Sequence, residues 1–63
     1  MRDYKRIAKI CNLLQSVWQE LSDERLGQLL CNLVEERDIF YVEDDVLFRL
    51  LKDKQEELEQ FDE

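Results

Sequence analysis

Tyr4, Ile7, Cys11, Leu14, Trp18 and Leu21 recur at alternating three- and four-residue intervals, so at about 100° per residue they share one stripe of an amphipathic helix. Helix 1 is expected from about Asp3, a plausible N-cap, to about Leu21. Leu26, Leu29, Leu30, Leu33 and Val34 make the apolar face of a second helix ending near Arg37, with Ser22 and Asp23 offering caps and a tight turn before it. A connection this short predicts an antiparallel hairpin.

The stretch Asp38-Ile39-Phe40-Tyr41-Val42 is rich in aromatic and β-branched residues but too short to imply a sheet. It reads as a connector whose Ile39, Phe40 or Val42 plugs the core. Glu43, Asp44 and Asp45 then stand where a helix N-terminus favours acids, because its unbonded N–H groups and dipole attract negative charge. Helix 3 is expected from about Asp44 to about Gln60, with Val46, Leu47, Leu50, Leu51, Leu58 and Phe61 as its apolar set. Lys54 interrupts that stripe, which predicts that residues from about 54 to 63 project or fray. The reading is one all-α, three-helix domain over 1–63: a hairpin plus an acidic third helix.

Helix 1 carries more apolar surface than a hairpin uses. Ile10, Leu13 and Val17 form a second stripe beside the first, and small domains avoid large exposed apolar patches. Helix 3 can cover it, or a partner chain can. Phe48 and Cys31 also lie off their helices' main faces, and Gly27 would let another helix approach helix 2 closely. These features favour self-association, with Ile10, Leu13, Val17 and Phe48 as candidate contacts. Trp18 reads as a core anchor rather than a ligand platform.

Composition agrees with helices and narrows the chemistry. The chain has 63 residues, no proline, one glycine, no histidine and two cysteines, a profile that excludes a disulfide framework and leaves only a small core. No uncharged run approaches the roughly 20 residues of a membrane span, and no uninterrupted apolar region follows the N-terminus as in a signal peptide; a cytoplasmic protein with reduced thiols is expected. Cys11 and Cys31 are expected at similar heights of the hairpin but roughly 140° apart in phase, so they read as free thiols packed as small hydrophobes.

Net charge is −7, unevenly spread: residues 1–19 balance at +3 and residues 20–63 at −10. Arg2, Lys5, Arg6 and Lys9 form a basic stripe at helical spacing, read first as a solvated face and second as a phosphate- or acid-binding patch. Glu43, Asp44 and Asp45 lack the glycine and ligand alternation of a calcium loop, and no nucleophile–base pair accompanies them. Capping is the preferred reading. Neither a metal, a cofactor nor a catalytic centre is expected, and the chain is not read as an enzyme.

The residues Leu13-Leu14-Gln15, Trp18-Gln19, Asp23, Leu26, Gln28-Leu29, Leu33, Asp44-Asp45 and Leu47 resemble the YihD-like family of short, uncharacterised bacterial proteins. Similar short chains occur in Gram-positive bacteria and their phages, often with Pro-Asp in place of Ser22-Asp23. The likeness spans about residues 2–52 and implies bacterial or phage origin and a cytosolic location, with no activity to carry over.

The leading expectation is therefore a non-catalytic, self-associating protein–protein interaction module. A second reading is a phage-type inhibitor that mimics nucleic acid, presenting Glu35, Glu36, Asp38, Glu43, Asp44 and Asp45 to a basic groove. A third is weak nucleic-acid binding through Arg2, Lys5, Arg6 and Lys9, which the acidic body disfavours.

Overall fold

The computed structural model describes residues 4–60. They form α1 (Lys5–Glu20), α2 (Leu26–Val34), a 3₁₀ turn (Ile39–Tyr41) and α3 (Asp44–Gln60), an all-α fold. The expected cap Asp3 and the expected core residue Phe61 lie outside the described residues. Tyr4 occupies the cap position of α1 without a side-chain cap. At the far end the Leu21 N–H donates to the carbonyls of Val17 and Trp18, at 3.2 and 3.0 Å.

The start of α2 corrects one expectation. Ser22 and Asp23 belong to the turn, and the chain becomes helical only after Arg25, whose backbone is extended at φ −73° and ψ 153°. Gln28 Oε1 accepts the Arg25 N–H at 3.1 Å, the returning half of a capping box. An arginine side chain has no acceptor with which to reciprocate. The helix stops at Val34, three residues short of Arg37, because Glu35 turns to positive φ.

Asp38 then caps the 3₁₀ turn, its Oδ1 accepting the Phe40 N–H at 3.1 Å. The expected plug does not form: Ile39, Phe40 and Tyr41 are exposed and Val42 is only half-buried. At three residues per turn the side chains of a single 3₁₀ turn stand about 120° apart, so the three share no common inward face. α3 begins as expected, with the Leu47 N–H donating to the Glu43 carbonyl at 3.0 Å and Asp44 and Asp45 in the first turn.

Leu13 and Val17 from α1, Leu29 and Leu33 from α2 and Leu51 from α3 form the core. α3 packs against both other helices, most extensively against α1. α1 and α2 meet mainly through the side chains they share with α3, rather than along a hairpin seam of their own.

That arrangement reverses the expected roles of the two α1 stripes. Leu13 and Val17 are buried with Ile10 packed beside them, whereas Tyr4, Ile7 and Cys11 are exposed. Leu14, Trp18 and Leu21 are partly buried. α2 is about 13 Å long and α1 about 24 Å at 1.5 Å per residue, so α2 cannot cover the first stripe along its whole length.

Three smaller expectations also change. Lys54 is half-buried and pairs with Glu57 at 2.9 Å, so the stripe tolerates it. α3 stays helical to Gln60, with Leu58 packed against the core, instead of projecting from residue 54. Val46 is exposed rather than part of the apolar set. A Cβ built on Gly27 would meet nothing within 4 Å, so no helix of this chain uses the close approach that glycine allows.

Candidate interaction surfaces

Arg6 Nε donates to Asp44 Oδ2 at 2.7 Å. The contact ties the first turn of α1 to the first turn of α3 and joins a member of the predicted basic stripe to a member of the predicted acidic set. Around it lies an open groove of about 560 Å³ lined by Arg6, Lys9, Ile10, Asp44, Asp45, Phe48, Arg49 and Lys52. Four cations and two acids thus surround two half-buried apolar side chains, a locally positive region on a negative molecule.

The other predicted site residues are dispersed. Lys5 is exposed on α1, and Arg2 lies outside the described residues. Leu13 and Val17 do not remain as a contact surface, because α3 covers them; Ile10 stays half-buried and lines the groove with Phe48, which also packs against the core. Of the acidic set, Glu35 ends α2, Asp38 caps the 3₁₀ turn, and Asp45 Oδ1 accepts the Val46 N–H at 2.9 Å. Glu36 and Glu43 are exposed. Asp44 and Asp45 share their groove with cations, so the six acids do not act as one uninterrupted anionic face.

A second surface gathers at the same end of the molecule. Tyr41 precedes Asp44 by three residues, a reach of at most about 11 Å, and Asp44 is held by Arg6, which stands within a turn of Tyr4 and Ile7. Phe40 is 80% exposed, Tyr41 76%, Tyr4 74% and Ile7 54%. The Phe40 and Tyr41 rings pack edge to face with centroids 4.9 Å apart, a favoured aromatic geometry formed while both stay exposed.

Comparison of the chain with protein-family models, curated proteins and solved structures finds no match. Function must be read from these surfaces themselves. Among the described residues no group of three or more His, Cys, Asp or Glu side chains stands together as a metal site would require. Cys11 and Cys31 are free and exposed, not packed as small hydrophobes. Among the described residues no helix is long and apolar enough to cross a membrane.

Sequence reasoning missed Arg49 and Lys52, and it counted Phe40 with Ile39 and Val42 as alternatives for a core plug. The two cations occur at helical spacing with Asp45, which was visible. That α1 would bring Lys9 alongside them was not, because helical periodicity orders residues around one axis and says nothing about which axis lies beside it.

Proposed function

We propose that this chain is a small, non-catalytic helical module that works by binding protein, a second copy of itself included. The observation that carries the reading is the exposure of the packed Phe40–Tyr41 ring pair, together with that of Tyr4 and Ile7. Large aromatic side chains are the residues on which protein interfaces concentrate their binding energy, and leaving several of them in water on a 63-residue chain has no folding advantage. A cytoplasmic setting belongs to the same reading, in keeping with two free, exposed thiols.

Nucleic-acid mimicry is disfavoured by the cations that share a groove with Asp44 and Asp45. Nucleic-acid binding through the basic stripe is disfavoured by the engagement of Arg6 with Asp44 and by the overall charge of −7.

The test compares the wild-type chain with a Phe40→Ala/Tyr41→Ala variant as immobilised baits for host proteins. Both substitutions are at exposed positions, so the helical circular dichroism and the melting transition should be kept. The expected result is a protein retained by the wild type, lost with the variant, and bound again when purified and added back. Identical retention by both baits would sink the aromatic cluster as the contact surface.

A further inference from the structure

Asp45, Arg49, Lys52, Glu56 and Glu59 follow one another at intervals of four, three, four and three residues along α3. That spacing keeps them on a single stripe, the seam pattern by which two helices lie side by side. All five are exposed. The stripe has a sharp polarity: Arg49 and Lys52 stand toward its start, beside Lys9 in the groove, and Glu56 and Glu59 toward its end.

Neighbours four apart on a helix can pair with each other, and Asp45 with Arg49 or Lys52 with Glu56 would be the ordinary outcome. Among the described residues neither pair forms, and Lys9, Arg49, Lys52, Glu56 and Glu59 enter no ion pair at all. The charges on this edge are therefore available to a partner, and their order specifies one.

We infer that a second copy of this chain docks along the α3 edge in antiparallel register, about a two-fold axis near position 54. The inference rests on the self-association part of the proposed function and is independent of the aromatic cluster. Lys52 and Glu56 lie two residues either side of that position, and Arg49 and Glu59 five either side. Antiparallel pairing sets Lys52 against Glu56 of the second copy and Arg49 against its Glu59, and the symmetry repeats both contacts in reverse. The last turns of the second copy's α3 then lie over the groove, where Ile10 and Phe48 are half-buried and gain cover. Parallel pairing would set like against like. Isolated exposed ion pairs contribute little, so four of them over a small apolar floor give a weak, salt-sensitive dimer whose register is set by charge.

Charge exchange tests this directly, with sedimentation velocity as the readout and circular dichroism as the check on folding. One variant carries Arg49→Glu and Lys52→Glu; the other carries Glu56→Lys and Glu59→Lys. The expected result is a wild-type dimer that weakens as salt rises, each variant alone at least about tenfold weaker in self-association, and an equimolar mixture of the two that dimerises again. In that mixture an all-acidic edge meets an all-basic one in either register. The register itself is read from Lys52→Glu, which weakens the dimer, and Lys52→Glu/Glu56→Lys, which recovers it, because only antiparallel pairing sets position 52 against position 56. If each variant is monomeric and the mixture stays so, the α3 edges do not pair through these charges; if Lys52→Glu/Glu56→Lys does not recover the dimer, the register is wrong. A wild-type dimer that neither variant disturbs would overturn the α3 edge while leaving self-association through another surface. A wild type that is monomeric at high micromolar concentration and low salt would overturn both.

Discussion

Glu35 ends α2 at φ 57° and ψ −118°, and the Arg37 N–H donates to the Val34 carbonyl at 3.1 Å. Those dihedrals are those of the first central position in a type II′ turn, where a side chain crowds its own backbone and glycine does not. Glu35→Gly should therefore stabilise the fold by about 1 kcal/mol, the relief of strain exceeding the greater entropy glycine gives the unfolded chain. Urea denaturation measures it, and a lowered midpoint would contradict the strain. The same residue explains why α2 stops early. Its apolar periodicity ends at Val34, and the Glu-Glu-Arg that follows is compatible with a helix by propensity but is spent on reversing the chain toward Asp38.

Among the elements, the connection between α1 and α2 depends on one side chain. Trp18 Nε1 donates to the Glu24 carbonyl at 2.9 Å while its ring packs against the core, so the turn through residues 21–25 is held from the helix it leaves. Asn32 adds a contact from α2, its Nδ2 donating to Glu24 Oε1 at 3.3 Å. Trp18→Phe keeps an aromatic ring in place but removes the donor. It should cost about 1 kcal/mol and speed hydrogen exchange at the amides of the turn. A loss of stability with unchanged exchange at the turn would show that the indole serves only as packing. The reading of Trp18 as an anchor thus holds for its ring, while its hydrogen bond could be assigned only once the turn was seen.

For the whole molecule, the two stripes of α1 respond in opposite ways to charge. Leu13→Glu buries a carboxylate in a core built of a few side chains, and a chain this small has little stability to spare; the cooperative melting transition should be lost. Ile7→Glu, at a position 54% exposed, should shift stability by no more than about 0.5 kcal/mol. Thermal melts followed by circular dichroism distinguish the two, and the opposite ranking would mean that α3 does not lie on the Leu13 side. Arg6 and Asp44, both partly exposed, contribute more to the alignment of α1 with α3 than to the free energy of folding.

Helix content, the number of helices and the bounds of α3 from Asp44 to Gln60 are written in local terms: apolar spacing, acids ahead of an apolar run, and the absence of proline. Local interactions act over a turn or two, so the sequence by itself determined them. It also determined that α1 has apolar surface on two adjoining stripes, without ranking them, since both satisfy the same periodicity. Only the tertiary structure decided that Leu13 and Val17 go inward and Tyr4 and Ile7 outward. The choice depends on where α3 lies, and that is set by contacts between residues nearly forty positions apart, such as Arg6 with Asp44. The groove is a product of the same choice, because Lys9 belongs to one helix, Arg49 and Lys52 to another, and only packing makes them neighbours.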